Sequence, residues 1–309
     1  MKAIRVHEYG PPSVLVDEEV PEPTAGTGEV VLRVLAAGVG PWDALLRTGR
    51  SGVPQALPLI PGSDVAGVVA VVGSGVRDLQ QGDRVYGSTN PQFAGGYAEY
   101  SAAVAGMLAP MPRNLDFVQA AAVPVVAVTA SQMLFDYGKL TAGETVLVHG
   151  AAGSVGGCAV QLAHQAGATV IGTASGADLS RVTELGARTV IDYRAEAFQD
   201  VVRDVDLVVD TVGGETQTRS FSVLRPGGRL VSSVSQPDQD EAARRDVAAA
   251  YFIVEVTRKR LMSLTDQIEA GRLSVEVGEV LPLADARRAH EMLAGAPHRR
   301  GKIVLRIAE

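Results

Sequence analysis

The sequence predicts an α/β protein in which a doubly wound parallel sheet is inserted into a β-rich domain. Three observations carry that prediction. Residues 145–234 alternate short apolar strands with helices, the pattern of a parallel sheet covered on both faces. The first third holds short β segments separated by glycine and proline. A last apolar segment, 302–307, follows two helical stretches and returns the chain to the first domain. At 309 residues the chain is also longer than one hydrophobic core usually supports. The expected boundaries are 1–119 with 251–309 for the β-rich domain and 120–250 for the inserted one.

In order, residues 2–6, 29–37, 64–72 and 96–101 read as strands. Pro21-Glu22-Pro23, Gly26-Thr27-Gly28 and residues 49–54 read as turns. Pro41 suits the first turn of a short helix over 41–47. Asp116 can cap a helical turn through Ala121, and Pro124 can open a longer helix to Tyr137. Strands follow at 145–149, 169–174, 189–192, 206–211 and 228–234, with helices at 154–166, 178–186 and 216–224 between them. Residues 235–250 read as a loop plus helix, 251–256 as a strand, and 258–271 and 282–293 as helices.

Apolar residues make up 46% of the chain and charged residues 20%, a composition that packs cores rather than staying disordered. A net charge of −7, with only short basic clusters at 258–260 and 299–300, argues against nucleic acid as a partner. Cys158 is the one cysteine, so neither an internal disulfide nor a cysteine-rich zinc site can form. The longest apolar run, 120–130, is too short to span a bilayer and contains Pro124. The N-terminus has charged residues with no apolar run behind them, so a cytoplasmic location without membrane contact is expected.

The strongest motif is His149-Gly150-Ala151-Ala152-Gly153-Ser154-Val155-Gly156, set between an apolar strand and an apolar helix. Gly150 can make the tight turn, Gly153 can admit a pyrophosphate, and Gly156 can bring helix and strand together. The helix start adds free N–H groups and the positive end of its dipole. The spacing is G-x-x-G-x-x-G rather than G-x-G-x-x-G, so the context carries more weight than the glycines. Past the second strand, 172–176 carries no acid to receive a ribose 2′-hydroxyl, and Asp178 reads better as a helix cap. That favours NADPH, with Ser175 and Arg181 as contacts for its 2′-phosphate.

Residues 146–163 resemble the cofactor turn of the medium-chain dehydrogenase/reductase superfamily. Four more segments resemble its motifs in the same order: 36–43, 61–67, 210–214 and 300–305. The resemblance implies a Rossmann-type NADPH-binding domain and a GroES-like catalytic domain. Zinc-containing relatives place a cysteine where Gly40 sits and a histidine where Ser63 sits, and neither glycine nor serine is a usual zinc ligand. The chain therefore resembles the zinc-independent quinone oxidoreductase-like branch. That branch commonly has asparagine where Gly40 stands, and some members have a tyrosine near Ser51; both are absent here.

The implied chemistry is hydride transfer to a quinone or an α,β-unsaturated carbonyl. The alternatives are a tailoring enoyl reductase on a biosynthetic intermediate and a non-catalytic NADPH-binding redox sensor. Candidate catalytic residues are Trp42 and Asp43 in the cleft motif and Thr129, where relatives use a threonine near the nicotinamide. Asp43 reads equally as a cap, and Thr129 as a helix-face threonine. Candidate cofactor contacts are Gly150, Ala152, Gly153, Ser154, Val155, Ser175, Arg181, Tyr193, Val212, Phe252 and Lys302, with no metal ligand. Tyr193 resembles a tyrosine laid near the 2′-phosphate, Phe252 a segment that meets the nicotinamide amide, and Lys302 a helper at the phosphate. A homodimer is expected, because relatives pair edge strands of their cofactor domains.

Overall fold

The computed structural model describes residues 1–53 and 55–308. The chain divides into two compact units. One comprises Met1–Val125, Glu255–Gly271 and Val275–Glu309, and the other Val126–Val254 with Arg272–Ser274.

The first unit is built on a seven-stranded sheet, mostly antiparallel. Its strands run in the order Val277–Pro282, Lys302–Arg306, Glu29–Val39, Asp64–Val72, Arg84–Ser88 and Leu108–Pro110, with Tyr100–Val104 pairing on Glu29–Val39. A two-stranded ribbon, Lys2–Val6 with Leu15–Glu19, packs on the same core and is bridged to the unit at Ala98 and Leu59. Valines and leucines on these strands form one core that includes Val6, Leu32, Val65, Val85 and Leu305. Glu29–Val39 runs straight into the Pro41–Arg47 helix. Gly40 is its extended N-cap, Pro41 supplies a preset φ, and the Asp43 carboxylate accepts the Gly40 N–H.

The second unit holds six parallel strands in the order Thr189–Asp192, Thr169–Ala174, Thr145–Val148, Val205–Asp210, Leu224–Ser232 and Ala248–Tyr251. Numbered within the unit this is 3-2-1-4-5-6, the Rossmann order, whose direction reverses beside Thr145–Val148. The glycine turn follows that strand directly.

Several expected elements moved. Residues 96–99 are not in a strand, which begins only at Tyr100. The expected 124–137 helix is α-helical over Pro124–Ser131 and then widens to a π turn over Gln132–Tyr137. The expected strand at 251–256 lies upstream, at Ala248–Tyr251, where three alanines pair against Leu224–Ser232. Strands Leu15–Glu19, Arg84–Ser88, Leu108–Pro110 and Val277–Pro282 had no clear sequence signal. Leu15–Glu19 is acidic and lacks alternation, and Leu108–Pro110 and Val277–Pro282 end on proline.

Candidate active site

In the parallel-sheet unit, Gly150 leaves the first strand at φ 65° and opens the turn. A Cβ on Gly156 would lie 2.1 Å from the Gly150 carbonyl oxygen, so glycine is required there for helix Ser154–Gln165 to pack. A Cβ on Gly153, the N-cap, would meet only that same oxygen, at 3.2 Å. Its outer side is open to a ligand. Ala152, Ser154 and Val155 flank it, half-buried, at the helix start, where N–H groups lack intrahelical acceptors. This cradle fits the pyrophosphate of a dinucleotide.

Beside the turn lies a cavity of about 560 Å³, lined among others by His149, Gly150, Tyr193, Arg194, Phe198 and Arg219. Val212 also lines it and is 50% exposed. The loop that presents Val212 is held by the buried Asp210 carboxylate, which accepts the N–H groups of Val212 and Gly213, the Gln217 amide and the Ser232 hydroxyl. His149 forms the cavity floor and is fully buried. Ser220 donates to the Thr216 carbonyl, so its oxygen is free to accept from His149 Nε2 at 3.0 Å. Nδ1 then accepts from the Thr173 hydroxyl at 3.2 Å. Burial pushes the imidazole down to about 4, so it is neutral at pH 7. Thr173 in turn accepts the Gly150 N–H, which ties the histidine to the turn.

Of the expected cofactor contacts, Gly150, Tyr193 and Val212 meet in this cavity, while Ser175 and Arg181 lie outside its lining. Phe252 is buried, its ring stacked on Tyr137 at 4.4 Å between centroids, so its backbone is what it can offer a ligand. Thr129 sits nearly buried on the Pro124–Ser131 helix. Sequence reasoning missed Arg219 and Phe198. Their signal was weak: Thr216 and Arg219 share a helix face three residues apart, and Phe198 follows a polar loop. It also missed an acid. Asp192, half-buried on the neighbouring strand, accepts the Gly176 N–H at 3.3 Å, so a carboxylate does stand beside the tip of the second strand.

In the other unit, a buried polar cluster gathers Trp42, Asp43, Ser63, Asp64, Tyr97 and Lys302. Asp43 accepts from Gly40 N–H and Tyr97 O–H, each at 2.9 Å. Complete burial raises Asp43 to about 7, opposed by the Gly40 N–H, the Lys302 charge and Tyr97. Asp64 is also raised by burial, countered by Lys302, and it accepts the Val125 N–H. Tyr97 is pushed well up by burial and by Asp43. Lys302 corrects an expectation. Its ammonium is 3% exposed, 3.1 Å from Asp64 and 4.1 Å from the Trp42 ring centroid, so it is committed to this cluster rather than to a phosphate. Asp43 likewise caps and braces rather than reaching outward. Among the described residues, no three His, Cys, Asp or Glu side chains are grouped to hold a metal ion, and no helix is long and apolar enough to cross a membrane.

The sheet order and the glycine turn at its switch point define a Rossmann-type dinucleotide-binding protein. Two family models match: "Alcohol dehydrogenase GroES-like domain" over residues 26–113 and "Zinc-binding dehydrogenase" over residues 185–305. The quinone oxidoreductase of Rattus norvegicus is 32% identical, covering 99% of this chain and 97% of its own. A chloroplastic NADPH-dependent alkenal/one oxidoreductase of Arabidopsis thaliana is 34% identical, covering 99% of this chain and 79% of its own. The structure of the Escherichia coli quinone oxidoreductase complexed with NADPH superimposes with a TM-score of 0.89 at 28% identity, covering 98% of this chain and all of that one. The chain belongs to the medium-chain dehydrogenase/reductase family, in its zinc-independent quinone oxidoreductase-like branch.

Proposed function

We propose that the protein reduces quinones or α,β-unsaturated carbonyls with NADPH and without zinc. The observation that carries the reading is the open cradle at Gly153, at the switch point of a Rossmann sheet and beside a 560 Å³ cavity bearing Arg194 and Arg219. Relatives named for quinone and alkenal/one reduction support the substrate class.

When bound, the nicotinamide would supply the hydride to the quinone or to the distal carbon of the enone, and the negative charge left on the acceptor would be neutralised by a proton from water. The chain's own contribution is binding and positioning. Gly150, Ala152, Gly153, Ser154 and Val155 receive the pyrophosphate on backbone N–H groups. Tyr193, Val212 and the two arginines enclose the adenosine end, with Ser175 and Arg181 toward the 2′-phosphate. The Phe252 backbone is assigned to the carboxamide and Thr129 to the nicotinamide in the cofactor unit, and Trp42 to the acceptor in the β-rich unit. Asp43 acts as a positioning residue, holding Gly40 and Tyr97 from beneath. Metal is not called for by this donor set, because residues 40 and 63 are glycine and serine.

Stopped-flow NADPH oxidation with a panel of quinones, enones and saturated alcohols tests the reading. Quinones or enones turn over, chelator leaves the rate intact, and alcohols are not oxidised. Loss of turnover in chelator, restored by zinc, contradicts it. We further propose a homodimer joined through the edge strand Ala248–Tyr251, since an unpaired edge invites association. Light scattering then gives about twice the 32.2 kDa chain mass.

A further inference from the structure

We infer that Trp42 determines acceptor choice: its indole takes the space of the missing side chain at residue 40 and forms a flat wall that favours planar aromatic quinones over acyclic enones. The inference rests on the proposed reductase activity and adds a substrate class to it.

Gly40 is not a glycine for backbone reasons. Its φ of −138° and ψ of 165° are extended, open to any residue. The reason is space. A Cβ at Gly40 would lie 2.4 to 2.5 Å from three atoms of the Trp42 ring, Cη2, Cζ2 and Cε2. Glycine at 40 and tryptophan at 42 are therefore one device: any side chain at 40 expels the indole.

Three groups fix the ring in that place. Its Nε1–H donates to Ser63 Oγ at 2.9 Å, Lys302 Nζ lies 4.1 Å from its centroid, and Gly40 lies against its edge. The lysine is itself locked by Asp64 at 3.1 Å. Gly38 leaves room for its stem, since a Cβ there would lie 3.1 Å from Lys302 Cε. The indole is thus pinned and half-buried, with the Lys302 ammonium over the ring, so the stacking inferred here uses the face away from the lysine. A ring fixed before binding loses little freedom when a second ring stacks on it, which is the condition for aromatic recognition. An acyclic enone covers less of that surface and gains correspondingly less.

The chain contains one tryptophan, so its fluorescence reports on this wall alone. Without NADPH, 1,4-naphthoquinone is expected to quench wild-type emission statically, with lifetime unchanged, whereas methyl vinyl ketone does not. In turnover, Trp42→Leu lowers kcat/KM for naphthoquinone by about 10- to 100-fold, mainly through KM, and changes that for methyl vinyl ketone by less than about 3-fold. Trp42→Phe, which keeps a flat ring, retains most of the preference. Gly40→Asn red-shifts the emission and abolishes the static quenching. Purely collisional quenching in the wild type, or an unchanged acceptor ratio in both Trp42→Leu and Gly40→Asn, overturns the inference. Absence of turnover with every acceptor instead defeats the proposed function, while the quenching still tests the wall.

Discussion

Lys302 and Asp64 meet at 3.1 Å inside the β-rich unit, the ammonium 3% and the carboxylate 0% exposed. Their attraction offsets only part of the cost of taking both charges out of water, since burial still holds Asp64 above its ordinary value. Removing one partner strands the other. Lys302→Met is therefore expected to destabilise the protein by about 3–5 kcal/mol. The double variant Lys302→Met/Asp64→Asn recovers most of that loss. Denaturant unfolding of the four-member cycle checks it, and a single variant as stable as the wild type contradicts it.

The glycine turn separates a packing role from a binding role. Gly156→Ala forces a Cβ to 2.1 Å from the Gly150 carbonyl oxygen and 2.9 Å from the Ala151 Cα, all of it backbone that cannot swing away. It should cost about 1–3 kcal/mol of stability as well as cofactor affinity. Gly153→Ala meets only one oxygen, at 3.2 Å, and folds with little loss. Its methyl group projects toward the expected pyrophosphate, so dinucleotide affinity falls at least about 10-fold. Thermal melts with cofactor titration resolve the two, and an unchanged Kd in Gly153→Ala counts against the cradle.

The sequence made the cofactor unit legible because parallel strands buried on both faces read as apolar runs, and the glycine turn follows the first of them directly. The β-rich unit was harder to read. Leu15–Glu19 and Arg84–Ser88 pair with the strands just before them, Lys2–Val6 and Asp64–Val72, but neither carries the alternation that marks a strand, so the pairing context and not the local pattern makes them strands. Trp42 and Asp43 were legible as candidates, but Lys302 was assigned to the phosphate because nothing local marks it as the partner of Asp64, 238 positions earlier in the numbering. Asp192 escaped notice for a related reason. It reaches the tip of the second strand only because Thr189–Asp192 pairs in register beside it, Asp192 opposite Ala174.

Two buried histidines set the acid limb of stability. Burial lowers His149 to about 4 and His290 to about 3 from 6.5. Their contribution is complete above pH 6.5 and is lost as pH falls, because the unfolded chain takes up protons that the folded chain refuses. Asp43, raised from 3.8 to about 7, works the other way: between those values the folded state holds a proton the unfolded state has shed, so stability falls as pH rises. Asp64, likewise raised by burial, acts in the same sense as Asp43, so the two carboxylates oppose the two histidines near pH 5. Asp43→Asn removes one opposing group, so its stability should fall more steeply than that of the wild type as pH drops through 5, by up to about 1.4 kcal/mol more per pH unit. Urea unfolding of both proteins across the range measures the difference, and the same slope in the two contradicts it.

The preference for NADPH turns on the charges beside the second strand. No acid lies on that strand's tip, and Ser175 offers a hydroxyl there, which favours a 2′-phosphate. Asp192 opposes it. Its two carboxylate oxygens are engaged by the N–H groups of Gly176 and Arg194, which spreads its charge but leaves a negative group close to Ser175. The expected outcome is a moderate preference for NADPH, set by this opposition. Ser175→Asp adds a second negative group and should weaken NADPH by about 10-fold or more while changing NADH little. Asp192→Asn keeps an acceptor oxygen for one N–H and removes the charge, so NADPH gains relative to NADH. Parallel kcat/KM measurements with both cofactors decide the matter. If the wild type uses NADH as well as NADPH and neither variant shifts the ratio, the 2′-phosphate does not lie against Ser175.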